Sequence, residues 1–469
     1  MEIEQFMAET IMPPSFGARA ARPSRLLRYC LVAVLAALAL IDLGVRAQDG
    51  ERNEVSARIR LGARLFKEPG FSSRDGDLIS SCGSCHLYDQ DPQGIRAFTD
   101  FFARSWVSWR SKDQRRDGLR NAPTILDAAE LPRLHYDGEF ESLEELVKGT
   151  IAGRTLGWLP GERGQALEQA CRVILDDAGD AGKGEKSYRD LFKQAYGVDV
   201  RALGRDEVIK LIAGAISDYV RTLKTKRDSP YDRFIRMNAL EIGPKQGETP
   251  ADFSERLLAR ISNLETRGEL RLPADFSQKA LEGLKIFFTA KGDKSSGNCV
   301  SCHAPPLFTD FSFHNMGVSQ SEYDRHHGDG SFASLNIPGA SAAVRPSPQF
   351  REIPSRNRPG NVDLGHWNFV KLSSSPLRRA GEGEDRFLRR MIATFKTPTL
   401  RNLAYSQPYL HNGAFASLDE VLIELMRMSE LARAGRVREA DEGLSLIRIS
   451  EADVGRLVVF LNSLNDGLR

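Results

Sequence analysis

With 469 residues and 41% hydrophobic content, the chain is long enough for two domains, each with its own core. Its 65 basic residues nearly balance 63 acidic ones, leaving a formal charge of +2. That balance gives no attraction to polyanions, so no nucleic-acid partner is expected.

The amino terminus reads as an export signal. Arg19, Arg22, Arg25 and Arg28 precede an apolar run from Leu31 to Ile41, and Val45-Arg46-Ala47 ends in a small residue suited to cleavage. Residues 1–47 are assigned to this signal and the mature chain to the periplasm. The run falls short of the ~20 apolar residues that cross a bilayer, so no stable membrane span is expected after cleavage, an uncleaved anchor being the alternative. Cys30 is lost with the signal. Of the five remaining cysteines only Cys171 is left without a task, so no disulfide is expected.

A helix from about Val55 to Phe66 leads into Cys82-Gly-Ser-Cys85-His86, and another from Phe276 to Phe288 leads into Cys299-Val-Ser-Cys302-His303. Cys-x-x-Cys-His is the attachment signature of c-type haem. Two thiols three positions apart on one turn can each bond a haem vinyl group, and the next histidine then lies beneath the iron as axial ligand. One such motif could be a thioredoxin-like pair beside a chance histidine. A second copy 217 residues later makes coincidence remote.

The chain also repeats itself. Asp137-Gly-Glu-Phe-Glu-Ser142-Leu-Glu-Glu145 returns as Asn412-Gly-Ala-Phe-Ala-Ser417-Leu-Asp-Glu420 at an offset of 275, each preceded by a Pro-Thr turn at Pro123-Thr124 and Pro398-Thr399. Each copy reads as a turn entering a helix, with Ser142 or Ser417 as N-cap before an acidic first turn. Both units close on an amphipathic helix. Val208, Leu211, Ile212, Ile216, Tyr219 and Leu223 form one stripe, and Val454, Leu457, Val458, Leu461 and Leu464 the other, with Ser450 as its N-cap. The predicted fold class is mainly α, with two cytochrome c-like helical domains, each enclosing one covalently bound c-type haem. The domains are set at 48–235 and 273–469. Between them, 236–272 lies within a charged, poorly periodic stretch, Lys224 to Leu272, read as a linker or a peripheral helix pair.

The repeat is unequal. His86 to Asp137 is 51 residues and His303 to Asn412 is 109, an excess of 58 that is placed within Gln320 to Arg390. Its Pro, Gly, Arg and Ser content suggests ordered surface loops that cover a haem edge or dock a partner, or else a plain insertion.

These residues resemble a known family, the bacterial dihaem cytochrome c peroxidases and their relative MauG, over nearly all of the mature chain. The resemblance rests on the two haem motifs, Leu61-Gly-Ala-Arg-Leu-Phe, Arg120-Asn-Ala-Pro-Thr, Phe313-His-Asn-Met-Gly, Thr397-Pro-Thr-Leu-Arg-Asn and Pro408-Tyr-Leu-His411-Asn-Gly. It implies that the carboxyl-terminal haem receives electrons and is six-coordinate in the peroxidases, with a distal methionine, or in MauG a tyrosine, on the helix after the last motif. A gapless match puts Leu425 there. Adjacent Met426 is favoured as the iron ligand over Met428, since a thioether raises haem potential, although a helical methionine is often core filling.

Subtracting 275 from Met426 and Met428 gives Ile151 and Gly153, which cannot ligate iron, and no histidine lies between His86 and His135. The first haem is therefore expected to be five-coordinate or water-bound and open to peroxide, with Lys148 as the remaining candidate ligand. The family's distal glutamate corresponds to Leu156. Glu145 and Glu162 are nearby carboxylates, and Arg154 and Trp158 suit a distal pocket, the alternatives being a surface arginine and a core tryptophan. Tyr136 stands where the family places a tryptophan between the haems and is taken as an electron relay. His135 is a candidate partner for a haem propionate, and His411 and His314 suit propionate or outer-sphere contacts better than iron ligation. The resemblance also implies a calcium ion held by Asn121, Ser406 and Pro408, two of them through backbone carbonyls.

The cofactors expected are thus two haem c groups and one calcium ion. The implied activity is reduction of hydrogen peroxide at the Cys82/Cys85 haem, with electrons delivered through the Cys299/Cys302 haem. The donor would be a small cytochrome c or cupredoxin, or, as for MauG, a residue of a protein substrate. A dihaem electron carrier without peroxidase turnover is the alternative. A homodimer is the assembly considered.

Overall fold

The computed structural model describes residues 54–74, 80–88, 98–100, 119–180, 182 and 184–466. The export signal and Cys30 lie outside the described residues. Among those described, no helix is long and apolar enough to cross a membrane.

Among the described residues the architecture is mainly helical, with two short antiparallel ribbons. Helix α1 spans 54–66 and α2 is the single turn Cys82–Cys85. Then come α3 (Leu143–Ile151), α4 (Arg163–Asp176), α5 (Tyr188–Tyr196) and α6 (Arg205–Arg221). The second half holds α7 (Pro230–Met237), α8 (Pro250–Thr266), α9 (Gln278–Phe288), α10 (Val318–His327), α11 (Glu384–Arg390), α12 (Leu418–Arg433) and α13 (Glu451–Asn462). The ribbons pair β1 (His86–Tyr88) with β2 (Phe98–Asp100) and β3 (Phe313–His314) with β4 (Phe395–Lys396).

Helix starts follow the local chemistry. Ser142 accepts a hydrogen bond from the Glu145 amide and Ser417 from the Glu420 amide, both at 3.2 Å. Each hydroxyl satisfies a donor that the first turn leaves open, and the acidic residues that follow suit the positive end of the helix.

The duplication extends to the backbone. Leu134 bridges Phe140 and Tyr409 bridges Phe415, both through N–H···O bonds of 2.8 Å, at the same 275-residue offset. The non-glycine residues Asp127 and His135 adopt positive φ, and their counterparts Asn402 and Leu410 do the same. In each half a glycine permits close helix crossing. A Cβ on Gly62 would lie 1.9 Å from the Ala215 carbonyl oxygen of α6, and one on Gly283 would lie 2.0 Å from the Arg456 carbonyl oxygen of α13. Alanine at either site would force the helices apart.

Buried apolar side chains fall into separate clusters. One draws on residues 57–220 and another on 231–464. The stretch read as a linker supplies Tyr231, Phe234, Phe253, Leu257 and Ile261 to the second cluster, so 236–272 packs as part of a core rather than hanging as a spacer. The excess of the second half has a cluster of its own, with Phe332, Phe350, Trp367 and Phe387 fully or nearly buried. It is therefore an ordered body, not a loose loop.

Candidate haem-binding site

The helical turn of α2 carries Cys82 and Cys85, and His86 follows at the start of β1. In the second half the 3-10 turn Cys299–Ser301 is followed by Cys302 and His303, whose amide closes on the Cys299 carbonyl oxygen at 2.8 Å. The four thiols line, together with His86 and His303, one cavity of about 1330 Å³. That volume exceeds the ~300–1,000 Å³ usual for a single small-molecule site. Burial, with help from the paired thiol, pushes Cys82 and Cys299 up to about 12. Burial also lowers His86 to about 4, with a smaller contribution from His135, keeping a neutral imidazole able to ligate a metal. His303 donates Nδ1–H to the Phe308 carbonyl oxygen at 2.8 Å, which leaves Nε2 as the lone-pair nitrogen. Paired thiols beside neutral imidazoles in a large cavity are the donor set that c-type haem requires. The residues fit two such groups.

Around the first motif the wall comes from the end of α3, the 3-10 turn Arg154–Leu156 and Trp158. Leu156 and Trp158 are buried. The indole N–H of Trp158 goes to the Phe71 carbonyl oxygen at 2.9 Å, so Trp158 serves as a wall and its one polar hydrogen is already used. Arg154 faces Glu352 at 3.7 Å. Glu145 and Lys148 also line the cavity, whereas Glu162 turns back to accept from the Leu159 amide at 2.9 Å. Arg351, Glu352 and Arg358, from the segment in excess, complete this wall. Sequence reasoning marked that segment by its length and its Pro, Gly, Arg and Ser content, and named none of these residues. Nothing local ties Glu352 to Arg154, which lies far back in the chain.

Elsewhere on the cavity wall, Tyr136, His411 and Phe395 form a line of rings. Tyr136 meets His411 edge-on at 6.4 Å between centroids, and His411 stacks on Phe395 at 3.5 Å. The Tyr136 backbone is fixed by its carbonyl oxygen, which accepts from the Lys396 amide at 2.7 Å, and Lys396 Nζ donates to the Arg133 carbonyl oxygen at 2.9 Å. Burial lowers Lys396 to about 8. His135 lies 3.6 Å from Glu139 and packs edge-on to Phe140. Next to Tyr136, the buried Asp137 carboxylate meets Arg120, which also grips Asp363 of the extra segment, its Nη2 at 2.7 Å. His366 adds Nδ1–H to the Asp137 carbonyl oxygen at 2.6 Å.

At the second motif the part of the wall that α12 supplies is apolar. Helix α12 turns Val421, Leu422 and Leu425 toward the cavity. Met426, the ligand expected from the sequence, follows Leu425 and is turned about 100° round the helix from it. Met426 packs at the edge of the second core, and Met428 is buried in a separate cluster with Val437 and Leu444. Met316 is the methionine found among the described lining residues. His314 is held between Asp441 at Nδ1 and Asp310 at Nε2, both at 2.7 Å. Burial opposes its charge, but the two carboxylates outweigh that and raise it to about 12. With both nitrogens occupied, His314 is not an iron ligand.

Asn121, Ser406 and Pro408 all line the cavity. Asn121 Nδ2 donates to the Pro408 carbonyl oxygen at 2.5 Å and its Oδ1 accepts from the Ala122 amide at 3.1 Å. A calcium ion here requires the amide to turn so that Oδ1 faces Pro408.

Residues 56–239 match the family model of the di-haem cytochrome c peroxidases. Over that segment the chain is similar to the family. The family matched there implies two haem cofactors and includes oxidoreductases. Relatives include the methylamine utilization protein MauG of Methylophilus methylotrophus, 23% identical over 410 residues, 87% of this chain and 82% of that one. The cytochrome c551 peroxidase of Nitrosomonas europaea is 24% identical over 405 residues, 86% and 78% of the two chains. The crystal structure of the diheme peroxidase BthA from Burkholderia thailandensis aligns with a TM-score of 0.51 at 20% identity, covering 87% of this chain and 86% of that one, which supports the fold.

Proposed function

We propose that the protein is a periplasmic c-type dihaem oxidoreductase that reduces hydrogen peroxide at the haem of Cys82, Cys85 and His86. Electrons arrive through the haem of Cys299, Cys302 and His303. A haem iron with an open axial position supplies peroxide binding and one-electron chemistry. Overall, peroxide takes two electrons and two protons, its O–O bond breaks, and two waters leave. The two electrons come from two molecules of a reduced small cytochrome or cupredoxin, each oxidised by one electron.

The observation that carries this reading is the asymmetry within one cavity. The wall near the first motif bears Arg154 and Glu352, while among the described residues α12 presents Leu418, Val421, Leu422 and Leu425, all apolar. Charged groups can bind a polar substrate and move its protons, whereas an apolar wall favours electron passage without ligand exchange. The line Tyr136, His411 and Phe395 offers a short path between the sites. Asn121, Ser406 and Pro408 are the proposed calcium ligands, stiffening the junction.

Purified holoprotein should oxidise reduced cytochrome c continuously when peroxide is supplied. Peroxide consumption without such turnover, together with oxidation of a residue in a partner protein, would favour the MauG-like reading. Neither reaction would leave an electron carrier.

A further inference from the structure

The segment between α10 and α11 has no counterpart in the first repeat, yet it forms part of the cavity wall through Pro346, Pro348, Arg351, Glu352 and Arg358. Among the described lining residues the carboxylates are Glu139, Glu145 and Glu352. Glu139 is engaged by Arg351 at 3.0 Å and approached by His135 at 3.6 Å. Glu145 sits on the exposed side of α3. Glu352 differs from both. Its side chain is 23% exposed, with one oxygen 3.7 Å from Arg154 and the other 3.6 Å from Arg358. Those separations are ion pairs beyond the ~3.2 Å reach of a hydrogen bond, so both oxygens keep lone pairs available for a proton.

We infer that Glu352, carried in by the extra segment, is the proton acceptor for hydrogen peroxide at the first haem, with Arg154 as its positioning residue. The inference rests on the reading above that this haem is the open one. In the step, one O–H bond of peroxide breaks, the proton joins a Glu352 oxygen, and the electron pair stays on peroxide as hydroperoxide anion. No electron changes hands. The negative charge moves from the carboxylate to the substrate while Arg154, Arg351 and Arg358 stay close to both, so their attraction is kept throughout.

Hydrogen cyanide must also lose a proton to bind ferric haem as its anion, and it probes the same transfer without turnover. In stopped-flow mixing with the ferric holoprotein at neutral pH, Glu352→Gln should slow cyanide association at the first haem by about 100-fold or more. Glu352→Asp should retain most of the rate, and Arg154→Met should slow it less than Glu352→Gln while leaving the haem absorbance unchanged. A Glu352→Gln rate equal to that of the parent overturns the inference, as does a loss that appears in Glu145→Gln instead. If the parent protein binds no cyanide at the first haem, the open-haem reading fails first and the inference falls with it.

Discussion

The two halves share a frame and differ in what covers it. The turns at Asp137-Gly138 and Asn412-Gly413, the bridges Leu134 to Phe140 and Tyr409 to Phe415, and the serine caps are matched pairs. Beyond these pairs the first half sets Arg154 against Glu352, which comes from elsewhere in the chain. The second sets Leu425 and its apolar neighbours on the cavity. Turns and caps are thus preserved by duplication, while the cavity walls differ in side chains that the repeat does not constrain. The extra segment acts on the first half although it is inserted in the second. Arg351 to Glu139, Arg120 to Asp363 and Lys371 to Glu141 all cross that boundary.

The largest effect on this comparison should come from Arg120. Arg120→Met would leave Asp137 and Asp363 buried without their cation, at a cost of roughly 3–5 kcal/mol in chemical denaturation of the holoprotein. Burial alone would raise both carboxyls, but Arg120 outweighs it and holds each below its ordinary value of 3.8. The pair's contribution is therefore full above that pH and lost as pH falls through the depressed values. In the variant burial acts unopposed, so the deficit at neutral pH should shrink on acidification. An unchanged stability, or a deficit that grows on acidification, would mean that the clasp does not join the two halves.

A smaller and more local change should come from α12. Leu425→Met places a thioether on the cavity face and should shift the second haem toward a methionine-ligated absorbance spectrum, leaving the first unchanged. Met426→Leu should alter neither. If Met426→Leu abolishes a low-spin signal, the helix faces the cavity differently from the description given above.

Much of this was legible in the sequence because it is local. Cys-x-x-Cys-His needs only consecutive residues, and the 275-residue offset follows from matched turns. The gapless match places Leu425 at the distal position, and Leu425 lines the cavity; preferring Met426 sets ligand chemistry against helical phase. The stretch from Lys224 to Leu272 reads as a linker or a peripheral helix pair because its charge masks Tyr231, Phe234 and Phe253, whose burial depends on partners distant in sequence. Glu352 and the Arg120 clasp were hidden for the same reason. An ion pair between residues about two hundred positions apart has no periodicity to betray it.

The central claim is that the two haems differ, the first being open. Electron paramagnetic resonance of the ferric holoprotein, compared with protein lacking Cys82 and Cys85, tests it most directly. The account predicts that peroxide alters a high-spin signal in the parent protein and alters none in the protein that lacks the first motif. Two low-spin signals that peroxide leaves unchanged would contradict it.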